Sequence, residues 1–491
     1  MSNRKRLGAG SSTGQDVQGK WQRGVAKCRA RMGCATLLVL AGMVAVQVHG
    51  QTEDTSTGSA ALQLAHPGEP GENAPPVTLT LQDAIERARK YDAGYGTVAL
   101  DAKIAREDGV QARAAMLPSL GNSTQELLTK GNGTLPTGRY VTNDGVHVYR
   151  EWAVVHQDLS PTTYLLHGVR RASVGAALAN AKAEIALRGL VVTVTKDYYN
   201  LVAAQRKYAT AQQALETAKR FLTISRELEQ GGEVAHSDAI KAELQYSQQK
   251  QAFQEAELAM DNARIALAVI VSPNFSENIT VIDDLSSAQP LPPFSDVRAM
   301  AERENPTLAA ATKTAKLASL DVSAARLYFL PSLSIDVDYG IEANAFATRS
   351  VVSADPRAGV LPNLGHFVTA NLTFPIFDWG SNRSKLKQAV YKEQQARVEL
   401  TQTQREALSN LYSYYNEAVA ARSEQETLHH AAELAAESLR LIALRYQAGE
   451  STTLELVDAQ NALTEARNAD DDGQVRYRVA LANLQTLTGN F

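Results

Sequence analysis

The fold turns on one stretch: Leu330-Pro331-Ser332-Leu333-Ser334-Ile335-Asp336-Val337-Asp338-Tyr339-Gly340-Ile341. From Leu333 onward, Leu333, Ile335, Val337, Tyr339 and Ile341 alternate with Ser334, Asp336, Asp338 and Gly340. Successive side chains of a strand point to opposite faces, so this stretch predicts a ribbon with one apolar and one polar side. A second ribbon follows, in which Val368, Ala370, Leu372 and Phe374 alternate with Phe367, Thr369, Asn371 and Thr373. Leu120 to Leu128 and Tyr149 to Leu159 are fainter strand candidates. Gly/Asn/Thr-rich loops, 129–146 and 342–364, separate the members of each pair.

Around the ribbons the chain reads as helix. No proline occurs between Pro161 and Pro273 or after Pro375, and these stretches are rich in Ala, Leu, Glu, Gln and Arg, all strong helix formers. Leu187, Val194, Leu201, Tyr208, Leu215 and Leu222 recur every seven residues. Ala407, Leu411, Tyr414, Ala418, Ala421, Gln425, Leu428, Ala432, Ala435, Leu439, Ile442 and Tyr446 alternate by four and three, broken only by Gln425. Sustained heptads predict coiled-coil packing. A helix from about 163 to 229 would be roughly 100 Å long at 1.5 Å per residue.

The chain reads as an internal duplication. Leu117-Pro118-Ser119-Leu120 recurs as Leu330-Pro331-Ser332-Leu333, and at the same offset Asp92-Ala93 matches Asn305-Pro306. Farther on, Gly232, Asp238 and Ala242-Glu243 match Gly449, Glu455 and Ala459-Gln460. Each half is expected to run helix, strand pair, very long helix, turn, helix. The unit is too long for a solenoid array.

Composition narrows the class. The 491 residues are 44% hydrophobic and 21% charged. A mean hydropathy of −0.24 excludes a polytopic helical membrane protein. The net charge is −4, which argues against a nucleic-acid partner. Residues 1–50 hold eight basic residues and one acid, whereas the remainder has a net charge of −11. The apolar run Ala35 to Val46 is too short to span a bilayer as a helix. With Arg29 and Arg31 before it and Gly50–Gln51 after it, it reads as a secretory signal peptide, with Met1 or Met32 as the start. A short buried helix is the alternative. Cys28 and Cys34 both lie at or before the run, so the mature chain would have neither disulfide nor Cys-ligated metal. The expected organisation is a signal peptide over 1–50, a disordered leader over 51–78, a first structural repeat over 79–282, a linker over 283–296 and a second repeat over 297–491.

Four strands in an exported chain pose a physical problem. Alternating strands of about ten residues are the size of transmembrane β-strands, and such strands cannot face lipid with open edges. Small barrels need about eight strands. Either the sheet packs on something soluble, or several chains share one barrel.

The sequence resembles the TolC-like outer-membrane efflux protein family. The resemblance is carried by Leu330-Pro331-Ser332-Leu333, Phe374-Pro375-Ile376-Phe377-Asp378-Trp379-Gly380, Asn305-Pro306, and Tyr446-Gln447-Ala448-Gly449 followed by Glu455, Asp458, Ala459 and Gln460. It covers residues 79–491 in the same twofold order. It implies a mainly α fold with a membrane β-barrel part: a long coiled-coil α-helical barrel plus four β-strands per chain, contributed to a shared trimeric 12-stranded barrel. It further implies a homotrimer in outer-membrane lipid that extends into the periplasm. There it would meet a periplasmic adaptor and an inner-membrane pump, as the passive exit duct of a tripartite efflux or type I secretion system. An exported periplasmic coiled-coil scaffold without a pore is the alternative, and it would have no need of the ribbons beginning at Leu333 and Val368.

The resemblance also places candidate residues. Gly232 and Gly449 match the helix-hairpin tips, where adaptor contact is expected, although either glycine is also a plain helix terminator. Asp238, Tyr446, Glu455 and Asp458 match the narrow periplasmic aperture. Glu455 and Asp458 are three apart, so they share one helix face and would form a ring of acids in a trimer. A solvated face with favourable charge at a helix amino terminus is the competing reading. Ser451 stands where some family members carry an arginine of the closing network. His429-His430 do not converge on one ion, Asp470-Asp471-Asp472 reads as a solvated charge run, and Trp152 and Trp379 read as strand-end markers of a membrane interface or as core. Phe491 resembles an outer-membrane strand terminus but follows a helical pattern. No catalytic constellation, metal site or cofactor motif is present, so neither an enzyme nor a cofactor is expected.

Overall fold

Short polar side chains set where the helices begin. Thr80 caps α1 (Leu81–Tyr91) in a reciprocal box with Asp83, and Asp92 caps α2 (Ala93–Ala114) by accepting from the Tyr95 amide at 2.6 Å. The computed structural model describes residues 77–128, 147–165, 167–232, 234–273, 279–287, 290–343, 346–349, 363–448 and 450–489. All of these lie in one of two compact units, Ala65–Phe491. Residues 1–76, Gly449 and Phe491 lie outside the described residues, and so do the expected signal peptide and nearly all of the expected leader.

After α2 come strands β2 (Ser119–Leu128) and β3 (His147–Asp158), a short α3 (Pro161–Tyr164), the long α4 (His167–Gln230) and α5 (His236–Val271). The second half runs through α6 (Phe294–Glu304), α7 (Pro306–Leu327), β5 (Ser332–Ala343), β6 (Leu364–Thr373), α8 (Ser381–Gln447) and α9 (Thr453–Thr488). Two helices, not one, thus precede each strand pair. Asn305 caps α7 as Asp92 caps α2, accepting from the amides of Thr307 and Leu308.

Helix lengths explain the packing. α4 has 64 residues and α8 has 67, each about 100 Å at 1.5 Å per residue. α4 packs against the 22-residue α2 and the 36-residue α5; α8 packs against α7 and α9, which have the same two lengths. α4 also packs against α7 and α9, joining the two halves. Val194, Leu201 and Leu222 of the heptad are buried, as are Leu411, Ala418 and Ala421. No described helix is long and apolar enough to cross a membrane.

Two features depart from expectation. Val77–Leu79 (β1), placed partly in the leader, pairs in parallel with Ile279–Val281 (β4), and the Tyr198 hydroxyl donates to Ile282 O at 2.8 Å beside this pair. The expected linker 283–296 is docked at its start and helical at its end. The Asp283 carboxylate binds Arg206, the Asp284 and Ser287 carbonyls accept from Arg478, and α6 begins at Phe294. The pair β1/β4 and the side chains Leu79, Val194, Tyr198, Leu201, Leu267, Val271 and Leu285 form the main core.

Candidate functional site at the sheet and the helix tips

The four long strands form one antiparallel sheet in the order β2-β3-β5-β6. Its register fixes two faces. Ser123, Gln125, Arg150, Trp152, His156, Asp336, Asp338, Glu342, Phe367, Thr369 and Asn371 share one face. Leu120, Val155, Leu333, Ile335, Val337, Tyr339, Ile341, Val368 and Leu372 share the other, which also carries Gln157, His366 and a cluster in which Asn122 and Thr124 donate to Glu151. No helix is packed broadly against either face. The apolar face is nonetheless the bare one: Leu120 is 76% exposed and Val368 63%. On the polar face, Asp338 is 8% exposed, Trp152 9% and Val148 7%. A sheet curled toward its polar side crowds those side chains and spreads the others. Polar inside and apolar outside is the arrangement of a barrel wall between water and lipid.

Polar contacts cross the strands on the polar face. Arg150 Nη2 lies 2.8 Å from Glu342 Oε1 and Nη1 donates to Gln125 at 3.0 Å. His156 Nδ1 lies 2.5 Å from Asp336 Oδ1, and Asn371 donates to Asp336 at 3.3 Å. Gly340 sits directly against β3. A Cβ there would lie 1.9 Å from the Glu151 carbonyl oxygen and 2.8 Å from the Trp152 Cα.

At the far end of the long helices the chain reverses twice. α4 ends at Gln230 and Gly232 takes φ +72°, a left-handed conformation that glycine adopts without a Cβ clash. Asp238 lies in the first turn of α5 with its carboxylate 3.2 Å from Lys241 Nζ. In the second hairpin, Thr452 caps α9 by accepting from the Glu455 amide. The Ser451 hydroxyl donates to the Glu455 carboxylate. The Ser451 bond does most to hold the Glu455 carboxyl below its ordinary range, and the Thr452 backbone and the nearby Arg445 add to it. Both Glu455 and Asp458 are exposed. Beneath them, Phe221, Leu222, Ala242 and Leu456 are buried together, with Tyr446 packed edge-on to Phe221 at 5.8 Å. Gly449 lies outside the described residues.

Comparison with known proteins agrees with this geometry. Residues 297–490 match the family described as "Outer membrane efflux protein". Outer membrane protein OprJ of Pseudomonas aeruginosa is 26% identical over 319 residues, covering 62% of this chain and 63% of OprJ. Outer membrane protein TolC of Escherichia coli is 23% identical over 302 residues, covering 61% of each. The chain thus spans less than two thirds of the length of these two relatives. The outer membrane channel CmeC of Campylobacter jejuni has the same fold, with a TM-score of 0.72 at 17% identity over 83% of this chain and 85% of CmeC. Residues 297–490 thus resemble the outer membrane efflux proteins, and the chain is similar over most of its length to TolC-like proteins. These relatives are outer membrane proteins, and the solved neighbour is an outer membrane channel.

A polar cluster ties the long helices together at the acidic run that the sequence singles out. Of the expected solvated run, Asp472 is exposed, but Asp471 is buried and Asp470 half-buried, and each of the three meets a basic side chain on another helix. Asp471 Oδ1 lies 2.9 Å from Arg206 Nη1, Asp472 lies 2.6 Å from Lys207 Nζ, and Asp470 lies 3.2 Å from His429 Nδ1. Burial pushes the Asp471 carboxyl up, against the pull of Arg206. Arg206 also grips Asp283 and Ser286, and Arg478 lies over the Tyr199 ring at 5.1 Å. Trp152 is not a strand-end marker; it sits mid-strand, its ring 4.2 Å from that of Phe367. Trp379 does lie just past a strand end, is 90% exposed, and has φ +53°. Among the described residues no cluster of His, Cys, Asp and Glu is arranged to hold a metal.

Proposed function

We propose that this chain is the outer-membrane exit duct of a tripartite efflux or type I secretion system. It is a passive conduit assembled as a homotrimer. The observation that carries this reading is the sheet, with a bare apolar face, a crowded polar face, and pairing on one side only at β2 and β6. Three antiparallel steps separate β2 from β6, so these edge strands run in opposite directions. The β6 edge of one copy can therefore join the β2 edge of the next in an antiparallel ladder. Lipid has no tolerance for unpaired backbone groups, so the edges must close. Three copies of four strands make a 12-stranded barrel of the kind the family resemblance implies.

The two halves, with matched helix lengths and matched caps at Asp92 and Asn305, are copies of one duplicated unit. In the trimer the long helices continue the barrel as an α-helical tunnel into the periplasm. The tips at Gly232 and Gly449 meet the periplasmic adaptor, which links the duct to an inner-membrane pump. Asp238, Tyr446, Glu455 and Asp458 belong to the aperture. Glu455 and Asp458 form its acidic ring, and Tyr446 packs behind the tip to fix the position of the two hairpins. A pore-free scaffold has no use for a sheet that is apolar on its outside.

The test is native mass measurement of the detergent-extracted protein together with planar-bilayer recording. A trimer that conducts is expected. A monomer with intact strands, or a trimer without conductance, would overturn the reading.

A further inference from the structure

We propose that the recess formed by Trp152, Phe367, Asp338, Arg150 and Glu342 on the polar face of the sheet binds aromatic organic cations that carry a hydrogen-bond acceptor. The recess measures about 350 Å³, within the range of small-molecule sites. Its lining is unlike the rest of the face. Trp152 and Phe367 stand on strands that are second neighbours, with β5 between them. The residue of β5 opposite Trp152 is Gly340, so no side chain separates the rings, and they meet edge to face. An aromatic pair on a wet wall offers a face for a flat ligand, and such faces attract cations.

Two polar groups in the recess lack partners. The Trp152 indole nitrogen is buried without an acceptor, which gives a bound molecule a place for its own acceptor atom. Asp338 is buried, directly opposite Phe367, and no ion pair reaches it among the described residues. The other charges of the face are already matched: Arg150 is held by Glu342 and Gln125, and Asp336 by His156 and Asn371. Asp338 is therefore the free charge of the recess, and it calls for a cation. A neutral sugar would leave that acid unmatched, and an anion would be repelled.

This site deepens the duct reading, because only in a closed barrel does the recess face the transport path. Rhodamine 6G, a flat cation with an ester carbonyl, is the probe. In planar bilayers it should interrupt the current of the open channel. Asp338→Asn and Phe367→Ala should each shorten the mean interruption about tenfold, as expected for losing one strong contact. In parallel, Trp379→Phe leaves Trp152 as the single indole of residues 51–491. Rhodamine 6G should quench its fluorescence saturably, and Asp338→Asn should abolish saturation. A conducting channel with no interruptions, or with interruptions and quenching unchanged by Asp338→Asn, would overturn the site. Saturable, Asp338-dependent quenching in a protein that never conducts would support the site and overturn the duct.

Discussion

Arg206 on α4 and Asp471 on α9, 265 residues apart in sequence, meet at 2.9 Å between Nη1 and Oδ1. The same guanidinium holds Asp283 with its other two nitrogens. One side chain thus ties the first long helix, the last helix and the connection between the halves. Asp471 is buried, so removing Arg206 leaves a carboxylate without its partner. Arg206→Ala should lower stability by about 2–4 kcal/mol. Adding Asp471→Asn should recover part of that loss, because the stranded charge is then gone. Thermal unfolding of the four variants of the cycle in detergent measures the coupling. Simple additivity would show that the contact carries no energy of its own.

Next to this contact, His429 on α8 meets Asp470 on α9 at 3.2 Å, so α9 is held on that side as well. The Asp470 bond and its charge, with Glu433 one turn along, raise the His429 pKa above 6.5. Asp470 has its second oxygen buried without a partner, so its pairing with a charged imidazole matters. A group whose pKa is raised on folding stabilises fully below its unfolded value and loses that effect as pH rises through the folded value. The difference in melting temperature between wild type and His429→Gln should therefore be largest at pH 6 and shrink toward pH 8.5. A difference that grows with pH would contradict the pairing.

Local patterns were readable and distant pairings were not. The alternation at Leu333–Ile341 gave both the strand and its two faces, since strand periodicity is a property of neighbours. The matched pair Asp92 and Asn305 proved to be helix caps, because capping acts within three residues. The parallel strands Val77–Leu79 and Ile279–Val281 were missed: three residues are too few to show a period, and each strand's partner lies in another part of the chain. Asp470-Asp471-Asp472 read as solvated for the same reason, its cations Arg206 and Lys207 lying far away in sequence. The left-handed backbone at Trp379 has no sequence signature, since it occurs at a residue that rarely adopts it. At the tip, Glu455 serves the start of α9 and is exposed, as the reading of a charge at a helix amino terminus has it; its neighbours in a trimer are not a matter of local pattern.

The proposed acidic ring of Glu455 and Asp458 can be tested directly. Replacing both with Ala should weaken cation selectivity in planar bilayers, read as a shift of reversal potential toward zero in a salt gradient. Because Ser451 holds the Glu455 carboxyl below its ordinary range, the preference should persist in mildly acidic solution. Ser451→Ala should move its loss to higher pH. Unchanged selectivity in the double variant would remove both acids from the pore.

Gly340 makes a sharper structural demand. A methyl group there meets the Glu151 carbonyl oxygen at 1.9 Å, and backbone cannot move aside as a side chain can. Gly340→Val should cost more than the about 1–3 kcal/mol of ordinary overpacking. It should part β3 from β5, so the proposed trimer should be lost on unheated gels while the helical circular dichroism of the long helices remains. An oligomer of normal stability would mean that the two strands do not approach this closely.

Trp379 isolates backbone strain from side-chain contact. Its φ of +53° places a bulky residue in the left-handed region, next to Gly380 and after Asp378, whose carboxylate accepts from the Gly380 and Asn382 amides. The outcome is a Trp379 ring 4.9 Å from Phe377, both exposed at the junction of sheet and helix. Trp379→Ala and Trp379→Gly remove the same ring contact, but only glycine relieves the backbone. The Gly variant should therefore be more stable than the Ala variant by about 1 kcal/mol, after allowing for glycine's greater freedom in the unfolded chain. If the ring anchors the junction in the membrane interface, both variants should show equal loss of stability in lipid vesicles relative to detergent, leaving the Gly–Ala difference intact. A Gly variant no more stable than the Ala variant would show that the left-handed turn stores no strain.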